Sequence, residues 1–221
     1  MRHKHYTPVP SELPQGKRRR LMLGLIAATA LPLLQGCFPV VATGVGAGAA
    51  MFSDRRTSGS YVEDEGIEWK VASRIRERFG DSTHINVTSY NRNVLLTGEA
   101  PSDIVRTELD RIVAGVENVR GVINEVVVGP TSALTARGND TLITSNIKAR
   151  FVDAGSFSAH NVKVVTEANV VFLLGVVTRA EADAAAEVAR TSKGVSKVVR
   201  VFEYISDEEA RRLDNPTGAR Q

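Results

Sequence analysis

Val94-Leu95-Leu96-Thr97-Gly98 is met a second time as Val171-Phe172-Leu173-Leu174-Gly175. Each reads as a leucine-bearing strand closed by glycine, and the surroundings repeat with it. Val71-x3-Ile75-x3-Phe79, with Arg78 before the Phe, is matched 72 residues on by Ile143-x3-Ile147-x3-Phe151, with Arg150 before the Phe. Asn86-Val87 is paired with Asn161-Val162, and Val119-Arg120-Gly121-Val122 with Val195-Ser196-Lys197-Val198. The chain therefore carries two copies of a unit of about 65 residues, joined by a Thr/Ser/Ala/Gly-rich linker at 130–138.

Both copies run in the order α-β-β-α-β. In the first, Ile67, Val71, Ile75 and Phe79 form an i+4 stripe that predicts a helix over 66–79. Strands follow at 84–90 and 93–99 across the tight Asn91-Arg92 turn, then a helix from Pro101 to about Gly115 and a strand at 119–128. The second copy has helices at 140–153 and 179–192 and strands at 161–167, 170–177 and 195–205. Its second helix opens on Thr178-x-x-Glu181, a capping box. A short turn makes the first two strands antiparallel, and a helix between the second and third favours a parallel crossover. The fold class is α+β: two tandem domains, each a three-stranded mixed sheet with two helices on one face.

Such a sheet must protect or use its other face. If Val171, Leu173 and Gly175 face the helices, Phe172 and Leu174 face outward; Leu95 and Thr97 hold those positions in the first copy. The two units docking on each other is one reading of this face, and a partner protein at Phe172 and Leu174 is the other. Trp69, the one tryptophan, lies off its helix's core stripe and joins the partner-face candidates.

At the other end of the chain, Lys17-Arg18-Arg19-Arg20 precedes an apolar run from Leu21 to Leu34, and Leu34-Gln35-Gly36-Cys37 closes it. A basic segment, an apolar segment and a small residue in that order make a secretory signal. The run contains Gly24 and Pro32 and is short for a span of ~20 residues. Leu-Gln-Gly-Cys resembles the lipobox of bacterial lipoproteins, which implies cleavage before Cys37, lipidation of that residue, and, with Phe38 rather than Asp after it, transfer to the outer membrane facing the periplasm. Residues 1–36 would be the signal peptide and 37–65 the acylated N-terminus and a flexible tether, with an r.m.s. reach of roughly 30 Å.

The charge balance follows from that cut. The formal net charge is +3, with 28 Lys+Arg and 25 Asp+Glu, but residues 1–36 hold six of the bases and one acid. The remainder has 22 basic and 24 acidic residues, a net −2 that speaks against nucleic acid as a partner. The single Cys excludes an internal disulfide. No catalytic constellation is found. His84 and His160 are isolated in sequence, so neither a metal nor a cofactor is expected beyond the lipid on Cys37, and residues 206–221, with Asp207-Glu208-Glu209, read as a solvated polar tail.

The repeat resembles the BON domain. Ile85-Asn86-Val87-Thr88-Ser89-Tyr90, Val94 to Gly98, Asn139-Asp140-Thr141, Asn161-Val162-Lys163-Val164 and Phe172 to Thr178 carry the likeness, with one domain at 66–129 and another at 139–205. Two such domains behind a lipobox resemble dual-BON outer-membrane lipoproteins. The resemblance implies a non-catalytic protein that supports envelope integrity, in some cases at the division site, with the second domain's first helix recognising anionic phospholipid of the phosphatidylglycerol type. Links to the outer-membrane assembly machinery and to cell-wall hydrolase regulators belong to the same family picture, and a periplasmic protein-binding adaptor is the alternative it leaves. On a wheel of residues 140–153, Ile143, Ile147 and Phe151 form the core stripe. Leu142, Ser145, Asn146, Ala149 and Val152 lie opposite, with Lys148 and Arg150 on the shoulders; these seven are the lipid-binding candidates. The resemblance departs at Leu142, where an interfacial tryptophan is expected.

Overall fold

In a computed structural model, residues 54–215 are described. The signal peptide, Cys37 and most of the expected tether lie outside them. Helix α1 (Ser58–Phe79), strands β1 (His84–Tyr90) and β2 (Asn93–Ala100), helix α2 (Asp103–Ala114) and strands β3 (Gly121–Asn124) and β4 (Val127–Val128) make the first unit. Helix α3 (Leu134–Ala154), strands β5 (Lys163–Glu167) and β6 (Val170–Val177), helix α4 (Arg179–Arg190) and strand β7 (Lys197–Tyr204) make the second, and helix α5 (Asp207–Asp214) closes the described chain. In each sheet the first two strands are antiparallel and the crossover pair is parallel. The first unit's last strand is broken into β3 and β4, both paired with β2. Between them Val126 is buried in the core and its N–H donates to Asn124 Oδ1 at 3.1 Å.

Both first helices begin earlier than the apolar stripe predicts. Thr57 caps α1, its hydroxyl accepting from the Ser60 N–H at 3.0 Å, so the expected tether over 37–65 becomes helix from Ser58. The expected linker at 130–138 likewise becomes helical from Leu134. α2 begins at Asp103 after the Ser102 cap, two residues beyond Pro101.

The repeat register also differs from the 72-residue spacing. Asp64, Ile67, Val71 and Ile75 are the buried positions of α1, and Asp140, Ile143, Ile147 and Phe151 those of α3, a spacing of 76. An i+4 stripe looks the same one turn along, so apolar residues alone cannot choose between the registers; the buried aspartate does. Asp64 accepts from the backbone N–H of Asn91 (2.8 Å) and Arg92 (2.7 Å), and from Ser89 Oγ (2.7 Å). Asp140 accepts from the N–H of Ala168 and Asn169, both at 2.9 Å. These four residues are the hairpin centres and all have positive φ: 48° and 67°, then 50° and 62°. A two-residue turn of this kind points its N–H groups to one side, and the helix delivers a carboxylate to receive them. The strands also pair two residues from the Asn-Val match: Val87 lies opposite Leu96 and Val164 opposite Leu173, so Val87 is equivalent to Val164, not Val162.

The glycines that close the repeated strand stand where chains touch. A Cβ on Gly98, whose φ is 110°, would lie 2.0 Å from the His84 carbonyl oxygen, and one on Gly175 2.4 Å from that of Asn161. Val94, Leu96 and Ala100 point to α1 and α2, and Val171, Leu173 and Val177 to α3 and α4. Leu95, Phe172, Leu174 and Val176 point the other way and pack together with Tyr90. The order of layers is thus helices, sheet, sheet, helices. The tail expected to be solvated instead forms α5, capped by Ser206, and its Leu213 packs against this central cluster.

Removing the buried clamp leaves two turn N–H groups without an acceptor. Asp140→Ala is expected to lower unfolding free energy by about 3 kcal/mol, and Gly98→Ala by at least about 2 kcal/mol through its positive φ and the blocked carbonyl. Chemical denaturation of both variants checks this.

Candidate functional site

α3 presents the candidate face. Its core side is occupied by Ile143, Ile147 and Phe151, which leaves Leu142, Ser145, Asn146, Lys148, Ala149 and Val152 exposed. Leu142 is 69% exposed and Val152 72%, large apolar side chains with nothing from the described residues over them. Beside this face lies a polar cleft of about 410 Å³, into which Arg137, Thr141, Ser145 and Lys148 reach from α3 and His84 and Glu167 from the two sheets. The cleft was not foreseen, because its Arg137 lies in the expected linker. A basic helix shoulder over a polar recess, flanked by two apolar residues, can receive an anionic headgroup while the apolar residues meet its hydrocarbon.

Arg150 leaves the candidate set. Its guanidinium donates to the Val188 carbonyl oxygen at 2.7 Å, to Thr191 Oγ1 at 3.0 Å and to Ser192 Oγ, tying α3 to the end of α4. Arg74, equivalent at the corrected spacing, donates to the Gly115 carbonyl oxygen at 2.7 Å at the end of α2. The basic residue before Phe151 is therefore a structural tie.

Phe172 and Leu174 leave the partner-face candidates. They face away from their own helices as the alternation predicts, but the first unit's sheet covers them, and both are buried against Tyr90 and Leu95. Trp69 is 73% exposed on α1 and remains open to solvent.

Polar bonds ring the central cluster. Asn86 Nδ2 donates to Glu167 Oε2 at 2.6 Å, Asn91 Nδ2 to Glu203 Oε2 at 2.7 Å, and Lys163 Nζ pairs with Glu68 at 3.0 Å. The two consecutive arginines that precede α1 grip opposite units. Arg55 is buried, pairs with Glu181 (2.6 Å) and Asp214 (2.8 Å), and donates to the Val176 carbonyl oxygen at 3.1 Å. Arg56 pairs with Asp54 and Asp64 and stacks over the Tyr90 ring, 4.0 Å from its centroid. Burial raises the Tyr90 phenol well above its ordinary value, so it stays a neutral donor, with Asp54 as an acceptor at 3.3 Å. Burial alone would raise the Glu181 carboxyl, but hydrogen bonds from Arg55 and from the Thr178 N–H outweigh it and hold the group below its usual range.

One further cluster joins the two sheets: His84, Glu99 and Glu167 bring three potential ligand atoms within 4.8 Å of one another. No helix among the described residues is long and apolar enough to cross a membrane.

The family model for the BON domain matches residues 64–130 and 139–206. The chain belongs to the BON-domain family. Among curated relatives, it is 35% identical over 191 residues to the outer membrane lipoprotein DolP of Haemophilus influenzae, covering 86% of this chain and 96% of that protein. It is 38% identical to a 21 kDa hemolysin of Actinobacillus pleuropneumoniae, covering 69% of this chain and 79% of the relative. The osmotically-inducible protein Y of Escherichia coli is 30% identical over 160 residues, covering 71% of this chain and 80% of that one. Each matched segment contains one repeat, so the two BON domains dock through the bare faces of their own sheets.

The Arg55 clasp yields a pH test. A carboxyl held low in the folded state contributes stability that is complete above its unfolded value of about 4.3 and is lost as pH falls through the folded value. Glu181→Gln is therefore expected to be less stable than the native protein at pH 7. The gap should close as pH falls below about 4, read by urea denaturation across that range. Arg55→Ala should cost about 3 kcal/mol at pH 7, since it strands two carboxylates.

Proposed function

We propose that the chain is an outer-membrane lipoprotein, anchored through Cys37, whose second BON domain binds anionic phospholipid and thereby supports the envelope. The observation that carries this is the exposed face of α3. Leu142 and Val152 stand bare on a helix whose Lys148 shoulder opens onto a polar cleft. Lipobox and basic flank supply the address, and a relative named as an outer membrane lipoprotein, covered over 96% of its length, supports it.

The binding patch is small, so each contact is weak. A lipid anchor holds the domain at the surface and raises its effective concentration there. The headgroup would meet Lys148, Ser145 and Arg137, and the acyl region Leu142 and Val152; Arg150 has no part in it.

A second reading rests on Trp69. An exposed tryptophan on α1 suits a protein partner, and the adaptor role keeps that surface while losing Phe172 and Leu174.

Titration of isotopically labelled protein with phosphatidylglycerol and phosphatidylethanolamine micelles separates the two. Amide shifts confined to residues 137–153, seen with the anionic lipid and at least tenfold weaker in Leu142→Glu and Lys148→Glu, are expected. The absence of shifts with either lipid would sink the lipid reading and leave the adaptor, to be pursued by cross-linking from Trp69.

A further inference from the structure

At the edge of the interface between the two BON domains, the strands carry three metal-ligating side chains to one point. His84 opens β1 and lies opposite Glu99 near the end of β2. Glu167 ends β5 in the other domain. His84 Nδ1 is 3.1 Å from Glu99 Oε2, and the ligand atoms of all three residues lie within 4.8 Å of one another. Glu167 is 8% exposed and the Glu99 side chain 11%.

The charges around these groups do not balance. Among the described residues, the one ionic partner of either glutamate is His84 beside Glu99, and it counts only when protonated. Glu167 is met by neutral donors, Asn86 Nδ2 at 2.6 Å and Thr97 Oγ1 at 3.3 Å, both on its Oε2. Its Oε1 takes no hydrogen bond from a described residue. Arg137 lines the same cleft, but its guanidinium is bonded to Ser132 through Nε to Oγ (3.2 Å) and through NH2 to the carbonyl oxygen (2.9 Å). Lys148 lines the cleft and forms no ion pair with either carboxylate. Two buried carboxylates a few ångströms apart repel each other, and neutral donors do not supply the missing positive charge.

We propose that His84 Nδ1, Glu99 and Glu167 form a divalent transition-metal site that staples the first BON domain to the second. One imidazole nitrogen and two carboxylate oxygens are a donor set for zinc or a similar first-row ion, whereas calcium and magnesium favour oxygen alone. The outer groups fit the role: Asn86 and Thr97 hold Glu167, and the Ser132 N–H holds Glu99 at 3.2 Å. His84 and Glu167 also line the polar cleft of about 410 Å³, so a fourth ligand position can be filled from solvent. Because the ligands come from both domains, occupancy is linked to their docking. The sequence gives no spacing motif for such a site. Its ligands are 15 and 68 residues apart and meet only once the sheets are back to back.

The test uses the full-length chain in detergent, stripped of metal by a chelator and titrated with zinc chloride. Calorimetry gives the affinity, and 15N-histidine NMR identifies the ring that is bound. His84→Gln and Glu167→Gln separate this site from His160, His3, His5 and Cys37, which also offer ligands. The expected result is a shift of the His84 Nδ1 resonance that saturates at one equivalent, no response to magnesium at the same concentration, and at least a tenfold loss of that affinity in either variant. Zinc binding unchanged in both variants, or a His84 ring that responds to pH and not to zinc, would overturn the proposal. Should either variant fail to fold by circular dichroism, the native protein's His84 resonance decides the matter alone.

Discussion

A three-stranded sheet with helices on one side leaves the apolar side chains of its other face to water. One BON domain of this chain cannot solve that by itself, since its helices are already used to close the first face. The structure solves it by duplication: Leu95 and Tyr90 from one domain meet Phe172, Leu174 and Val176 from the other. Burying a side chain of this size contributes roughly 1.5–3 kcal/mol, so the central cluster adds a third, smaller core to those of the two domains. The remaining features of the chain are arranged around keeping those two faces together. Arg55 and Arg56, adjacent in sequence, pull on opposite domains, and α5 folds back so that Leu213 extends the cluster and Asp214 holds Arg55.

The polar bonds at the rim do a different job. Glu68, Glu167 and Glu203 each accept from a residue of the other domain. These part-buried bonds fix how one sheet is set on the other, which an apolar surface alone leaves loosely defined. The buried aspartates act one level lower. Asp64 and Asp140 bind each first helix to the turn of its own hairpin, so helix, turn and sheet are joined within each domain.

Element order and strand alternation were legible because both rest on local patterns. The repeated Val-x-Leu-x-Gly strand, the Asn91-Arg92 turn and the Thr178 capping box needed only neighbours in sequence. The helix register was not legible, because the stripe of Ile67, Val71, Ile75 and Phe79 is self-similar at one turn, and the residue that decides it, Asp64, bonds to a turn 27 residues away. Arg150 was misread for a related reason: its shoulder position on the wheel is real, but its partners lie 38 to 42 residues on. The same holds for the cleft and for the His84 cluster, which exist only through contacts between the two halves. The tail looked solvated because every residue in Asp207–Asp214 other than Leu213 is polar or small, and Leu213, the buried Ala210 and Asp214 dock it.

The layer order also constrains what the protein can touch at once. α1 and α3 cover opposite outer faces of the paired sheets, so their exposed sides look away from each other. At the corrected spacing Trp69 is equivalent to Ser145, one turn from Leu142 on the corresponding face. The aromatic residue missing from the second domain's helix is thus present on the first domain's helix. Val62 and Trp69 stand bare on α1, as Leu142 and Val152 do on α3. Duplication therefore provides more than a covered core: it gives two first helices with different outer surfaces, one bearing a bare tryptophan and the other a bare leucine and valine beside a basic shoulder.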